Sequence, residues 1–257
     1  MSQEKNNRYV DFYDSHTNFI NRTHIEYNIS PGIKAKFDTI KSFIGNKGFS
    51  NALDVGCSGD SFIHLLKNVQ HKSFCDIAQI PLQTYVEYLN YHPCVSDLTS
   101  LPYRSNSFDL ITALDVLEHI PDDKKASSEM VRVLQPNGLM IITVPHRMKY
   151  FTNQDIICGH VRRYEYKEIK ELFTSLGMKE VTKFGVYGQL MKIQFLQRAN
   201  PEGTEQGISS LRDNYAKNPV FHKFWDKFVR FSSKFMQLDA KFQPFQKKMD
   251  ICVIFSK

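Results

Sequence analysis

"NALDVGCSGD", residues 51–60, decides the fold. An apolar run that carries Asp54 near its end and breaks into Gly56 and Gly59 reads as a strand opening onto a ligand loop. A strand that feeds a tight glycine turn and then a helix sets backbone N–H groups and a positive helix end beside whatever binds there. The spacing is not the G-x-G-x-x-G of a nicotinamide fold, because the loop runs Gly56, Cys57, Ser58, Gly59, Asp60. An acid at the third glycine position opposes a pyrophosphate at that helix end, so a less anionic ligand is expected. Asp76 stands twenty positions after Gly56, at the end of the next apolar run, where a carboxylate takes ribose hydroxyls.

Outward from this loop the patterns alternate. "NALDV" (51–55) and "KSFCDI" (72–77) read as strands, and "SFIHLLKNV" (61–69) and "PLQTYVEYLN" (81–90) as helices. "CVSDL" (94–98), "FDLITAL" (108–114) and "GLMIITVP" (138–145) add three strands, with "DDKKASSEMVRVL" (122–134) as the helix before the last. Continuous apolar strands between helices imply a parallel sheet covered on both faces. "YEYKEIKELFTSLG" (164–177) sets Ile169, Leu172, Phe173 and Leu176 on one helical face and stops at Gly177. "EVTKFGVYG" (180–188) and "DICVIFSK" (250–257) read as two closing strands. Between them about sixty residues carry no sheet signal.

The chain has 257 residues, which suits one α/β domain with an elaboration better than two equal domains. Its start, "MSQEKNNRYVDFYDSHTNF", is too polar for a signal peptide, and no stretch reaches about 18 consecutive apolar residues, so a cytoplasmic protein is expected. Cys57, Cys75, Cys94, Cys158 and Cys252 form no C-x-x-C pair, and most of them neighbour apolar residues and read as buried thiols. Residues 1–145 hold 13 Lys and Arg against 16 Asp and Glu, whereas residues 146–257 hold 20 against 11. The net charge of +6 therefore belongs to the C-terminal part, and either a partner surface or a solvated face accounts for it.

Five segments in order resemble the class I S-adenosylmethionine-dependent methyltransferases, in particular a small-molecule branch similar to the ubiquinone-biosynthesis methyltransferases. They are "ALDVGCSGD" at the glycine motif, "CDI" at the ribose acid, "SDLTSLPYRSNSFDLI" at the adenine loop, "ALDVLEHIPD" after the fourth strand, and "MVRVLQPNGLMIITVP" into the fifth. The resemblance covers roughly residues 35–190. It implies a Rossmann-like, seven-stranded, mostly parallel sheet with helices on both faces and a helical insertion before an antiparallel last strand. It implies S-adenosyl-L-methionine as cofactor, with Asp54, Gly56, Cys57, Ser58 and Gly59 around the methionine portion. Asp76 and Ile77 would lie at the ribose, Asp97 and Leu98 at the adenine, and Asp115 at the edge of the cofactor site. Ser58 and Asp60 stand where the family often has glycine.

Methyl transfer from a sulfonium is an in-line displacement that needs alignment and dryness more than a covalent nucleophile. For the acceptor side the sequence offers Asp115, Glu118 and His119 in "LDVLEHIPD", just past a strand end. It also offers His160, Arg162, Arg163 and Tyr164 in "CGHVRRYEYKEI", and His146 in "VPHRMKY". His160 and His119 are the candidate general bases, and packing histidines are the alternative. The arginines suit a carboxylate or phosphate, or only a solvated helix start. No metal site is assigned.

The insertion opens on the loop-like "RANPEGTEQGISS" (198–210) and runs into an amphipathic stretch over 220–245. There Phe221, Phe224, Trp225, Phe228, Phe231, Phe235, Leu238 and Phe242 recur at helical steps, with Lys223, Lys227, Arg230, Lys234 and Lys241 between them. The aromatic face packs on the domain, lids the acceptor pocket or contacts a membrane peripherally; nucleic acid is the less expected partner. The expected organisation is an aromatic and polar arm over 1–34, a core over 35–190 and 249–257, and the insertion over 191–248. The expected reaction is methyl transfer to an oxygen, less readily a nitrogen or carbon, of a small or lipid-like acceptor. The rivals are an RNA or protein methyltransferase docking through the basic C-terminal half, and a protein that binds the cofactor or a nucleoside without catalysis.

Overall fold

A computed structural model describes residues 12, 13, 15, 21–191 and 201–257. Seven strands form one sheet: β1 (Phe49–Val55), β2 (Val69–Asp76), β3 (Tyr91–Val95), β4 (Phe108–Leu114), β5 (Leu134–Pro145), β6 (Lys179–Tyr187) and β7 (Asp250–Ser256). Their order is β3-β2-β1-β4-β5-β7-β6. β1 to β5 pair in parallel, and β7 runs antiparallel between β5 and β6. The order reverses at β1, whose neighbours are β2 and β4, and such a switch point leaves a crevice at the carboxyl ends of the strands.

Side chains alternate along β1, so Ala52 faces one core and Leu53 and Val55 the other. On the first face lies α2 (Pro31–Ile44), burying Phe37, Ile40 and Ile44 beside Leu110, Ile141 and Ile254. Ser30 caps it, accepting from the Ile33 N–H at 3.3 Å, and Pro31 opens it, where a missing N–H costs nothing. The opposite face carries α3 (Asp123–Val133) through Ala126, Met130 and Val133, and α5 (Tyr166–Thr174) through Ile169 and Phe173. Gly177, at φ +85°, turns the chain out of α5 in the left-handed region as its sequence position predicts. Two short helices, α1 (Glu26–Ile29) and α4 (Asn153–Ile157), stand near the strand ends.

Four local expectations are corrected. Residues 61–69 form only a 3-10 turn, Phe62–Leu65, because adjacent Phe62 and Ile63 are both fully buried, and Val69 is taken by strand pairing with Phe49. The segment 81–90 is likewise a 3-10 turn, Pro81–Tyr85, since Val86 and Leu89 beyond it are exposed and offer no apolar face to bury. The third strand is Tyr91–Val95 rather than 94–98, because Asp97 turns the chain by accepting from the Thr99 N–H at 2.8 Å.

The stretch expected as a loop over 198–210 is, from Pro201, the start of helix α6 (Pro201–Lys217). Proline is tolerated in a first helical turn, and tertiary contacts hold α6 despite its glycines. Arg212 pairs with Glu26 at 2.6 Å, and the Tyr215 hydroxyl donates to Asp226 at 2.7 Å. Helix α7 (Pro219–Phe242) follows, capped by Asn218, which accepts from the Val220 and Phe221 N–H groups. Among its described residues the insertion before β7 thus carries two α-helices. Among the described residues no helix is long and apolar enough to cross a membrane.

Candidate functional site

A cavity of about 1380 Å³ opens at the carboxyl ends of β1, β2 and β4, where the sheet order reverses. One end is the glycine loop. Gly56 has φ +64°, and a Cβ there would stand 2.5 Å from a Val116 methyl, so the position demands glycine twice over. Asp76 ties this loop to β2: one carboxylate oxygen accepts from the Ser58 N–H at 2.9 Å, the other from the Ala78 N–H at 3.0 Å. Ser58 itself takes a positive φ of 47°. Gly59 alone of the expected cofactor residues does not line the cavity. It turns toward the arm, where a Cβ would meet the Arg22 carbonyl oxygen at 1.8 Å.

Asp60 finds a local role. It is buried and stands 3.8 Å from the Arg22 guanidinium, so the arm supplies the countercharge that the glycine motif lacks. Asp54 is buried too, accepting from the Ser61 hydroxyl and from Thr112 Oγ1 at 2.5 Å. Burial raises its pKa to about 7 despite both hydroxyls, with Asp60 and Asp76 adding to the rise. Cys57, Ile77, Asp97 and Leu98 complete this wall, and burial pushes the Cys57 thiol well up.

At the other end Asp115, at φ +56°, accepts from Lys36 Nζ at 2.6 Å and Thr143 Oγ1 at 2.6 Å. Burial works against its ionisation, but Lys36 outweighs that and holds its pKa down to about 2. Asp250, at the start of β7, is pushed the other way by burial and by Asp115 beside it.

Glu118 is fully buried, and neither of its oxygens meets a hydrogen-bond partner among the described residues. Burial, then the Asp115 charge, raises its pKa well above the usual carboxylate range. His160 lies across from it, with Nε2 3.9 Å from Glu118 Oε1. The other ring nitrogen, Nδ1, meets Asp155 Oδ1 at 2.8 Å. Asp155 is in turn gripped by Arg163 through Nε at 2.7 Å and Nη2 at 3.0 Å. Burial resists, but the His160 and Arg163 hydrogen bonds hold the Asp155 pKa near 2. His119 Nδ1 meets the Tyr13 hydroxyl at 2.8 Å, and burial with the neighbouring His160 lowers its pKa to about 3. One ligand atom each from Glu118, His119 and His160 lie within 4.8 Å of one another, a grouping that can hold a divalent ion.

Both candidate bases therefore face the cavity, while other acceptor-side expectations do not hold. Arg162 is committed to Asp123 at 2.5 Å and the Pro121 carbonyl, away from the cavity. Tyr164 donates to the Leu117 carbonyl and Asp123, and buried His146 meets the Lys248 carbonyl. Arg163 lines the cavity, but its guanidinium serves Asp155. The sequence reading missed Lys36, Asp155, Asp250 and Tyr13. Lys36 sits 79 positions from Asp115, and no local spacing announces such a pair. The third wall is α7, where Trp225, Phe228, Phe231 and Phe235 line the cavity and the Trp225 indole donates to the Ile29 carbonyl at 3.1 Å.

Residues 53–142 match a family model described as a methyltransferase domain. Norajmaline N-methyltransferase of Rauvolfia serpentina is 30% identical over 109 residues, spanning 38% of this chain and 37% of its own. The tRNA (carboxymethyluridine(34)-5-O)-methyltransferase of Arabidopsis thaliana is 32% identical over 114 residues, 43% of this chain and 28% of its own. The matched segment spans less than half the length of these curated relatives. In fold, the chain resembles phosphoethanolamine N-methyltransferase 2 of Haemonchus contortus, solved in complex with S-adenosyl-L-methionine. The TM-score is 0.64 at 17% identity, over 97% of this chain and 60% of that one.

Proposed function

We propose that the chain is a class I S-adenosylmethionine-dependent methyltransferase, a reading supported by the match of residues 53–142 to a methyltransferase domain, and that its cavity holds the cofactor at the glycine loop and methylates an oxygen of a small or lipid-like acceptor at the Glu118–His160 end. The observation that carries the reading is the continuity of one cavity from Asp76 to His160. The residues fit the cofactor. Gly56 sets bare backbone on the cavity wall, where a ligand can approach it, and Asp76 places a carboxylate on the wall at the end of β2. Asp76 would take the ribose hydroxyls, Asp97 and Leu98 the adenine, and Asp54 with the Gly56 loop the methionine portion.

When bound, S-adenosylmethionine supplies a methyl group on a sulfonium, which an aligned nucleophile displaces. The chain's own part is to align the acceptor, exclude water and remove a proton. Asp155, ionised and fixed by Arg163, would accept a hydrogen bond from Nδ1–H of His160 and so leave Nε2 unprotonated toward the cavity. From there Nε2, which also has Glu118 Oε1 3.9 Å away, would take the proton of an acceptor hydroxyl, and Asp155 would stabilise the imidazolium that results. His119, held neutral by burial and tied to Tyr13, would position the acceptor beside it.

Calorimetric titration with S-adenosylhomocysteine tests both halves. Asp76→Ala is expected to weaken binding by about 1.5 to 3 kcal/mol through lost charge-assisted hydrogen bonds. His160→Ala is expected to leave that affinity intact and lower turnover by about 10² to 10⁴. The absence of both heat and a thermal shift with the cofactor would end the proposal, and full turnover in His160→Ala would remove its base.

A further inference from the structure

Helix α7 presents a face that the fold leaves uncovered. At about 100° per residue, Phe224, Phe228, Phe231, Phe235, Leu238 and Phe242 fall within one arc of about 80°. All six are between 43% and 77% exposed. Immediately beside that arc, on one side, stand Lys223, Lys227, Arg230, Lys234 and Lys241, all exposed. The other side of the helix packs on the protein through Trp225, Val229, Ser233, Met236 and Ala240. Of the helix's two acids, Asp226 accepts from the Tyr215 hydroxyl at 2.7 Å and stands 4.0 Å from Arg230, leaving the four lysines of the border paired with no acid of this helix among the described residues, and Asp239 accepts from the Leu190 N–H at 2.9 Å. The outward face is therefore an apolar ridge edged by five cations.

We infer that this face docks the protein on the surface of an anionic lipid bilayer, with the cavity mouth against the lipid. An aromatic ridge with a cationic border matches the acyl boundary and the charged headgroups of such a surface at once. The helix is too polar to cross and amphipathic enough to lie flat. Phe228, Phe231 and Phe235 belong both to the exposed ridge and to the cavity lining, so they form its rim. A greasy acceptor could pass from the bilayer over aromatic side chains without meeting water. A second copy of the chain would set five cations against five, and a nucleic-acid face would interleave cations among its stacking rings rather than along one edge. The inference deepens the methyl-transfer reading by naming where a lipid-like acceptor comes from. It is measured without cofactor, so its failure leaves that reading standing.

The full chain is sedimented with phosphatidylcholine vesicles, with and without phosphatidylglycerol, across a range of salt. Binding is expected only with phosphatidylglycerol and is expected to weaken with salt. The double variant Phe224→Asp with Phe242→Asp, whose positions do not line the cavity, is expected to bind at least about tenfold more weakly while keeping its melting temperature and its affinity for S-adenosylhomocysteine. Lys223→Glu with Lys234→Glu is expected to abolish the preference for phosphatidylglycerol. No sedimentation, or equal sedimentation of the Phe double variant, would overturn the inference. Salt-sensitive RNA binding without vesicle binding would also overturn it, as would a dimer that dissolves in the Phe double variant.

Discussion

Glu118 is the residue with the most unusual surroundings: a fully buried carboxyl whose oxygens meet no donor among the described residues and whose neighbours are Asp115 and two histidines. Its pKa is raised, so over the range above the usual 4.5 the native chain holds a proton that the unfolded chain releases. Stability then falls as pH rises. Glu118→Gln keeps the shape and removes the ionisation, so its advantage over the natural chain should be small near about pH 4 and grow toward about pH 8. Urea unfolding at both pH values measures that difference. A difference independent of pH would mean that the carboxyl ionises freely in the fold. His119 obeys the opposite rule, since its lowered pKa of about 3 makes the native chain refuse a proton that the unfolded chain takes below the usual 6.5. The two side chains, adjacent in sequence, oppose each other in the acid range.

At the scale of elements, legibility followed the length of the apolar pattern. β1, β4, β5 and β7 are long runs that bury both faces, and the amphipathic period of α5 and α7 is explicit in the letters. The glycine loop and Asp76 were legible because their places follow from strand ends, whereas Asp97 came only with the family resemblance. The turns at Phe62–Leu65 and Pro81–Tyr85 were not, because a short apolar run fits a helix as well as a buried turn until its neighbours are known. Helix α6 was obscured by Pro201, Gly203 and Gly207, which are overridden by the Arg212–Glu26 pair and the buried Tyr215.

Beside buried Val229, Ser233 and Ala240, α7 is held by Trp225, which stacks on Phe221 at 5.4 Å and donates to the Ile29 carbonyl. Trp225→Ala is expected to cost about 1 to 3 kcal/mol, less than the roughly 3 to 5 of a fully buried aromatic, because the indole is only half-buried. Hydrogen exchange should then quicken in α6 and α7 while β1, β4 and β5 keep their protection. Equal quickening everywhere would show that the insertion unfolds only with the sheet.

Over the whole molecule, the cavity is assembled from the two ends of the chain. Tyr13 and Arg22 come from the arm, Lys36 from α2, Asp115 from the end of β4 and Asp250 from β7. None of these pairings has a sequence signature, since each joins groups that only the parallel sheet with its reversed last strand brings together. Lys36 is the centre of this seam. Its ammonium, mostly buried, pairs with Asp115 at 2.6 Å and supplies the positive charge beside a carboxyl pair, since the Asp115 and Asp250 side chains are hydrogen-bonded to each other. The side chain of Asp115 is 30% exposed into the cavity, so water there screens part of the attraction.

Lys36→Met is therefore expected to destabilise at neutral pH by about 2 to 3 kcal/mol, below the 3 to 5 of a pair sealed from water. The sign with pH follows from Asp115. Its lowered pKa contributes stability that is fully present above the usual 3.8 and is lost as pH falls toward about 2. That acid limb should shrink in the variant. Asp115→Asn in the Lys36→Met background should recover part of the loss, because it removes the carboxylate left without its partner. A double-mutant cycle by denaturant unfolding at neutral pH should then give a coupling of about 1 to 3 kcal/mol. Strictly additive effects would mean that α2 and the end of β4 are held together by packing alone, with the ion pair contributing nothing to the joining of arm, sheet and last strand around the cavity.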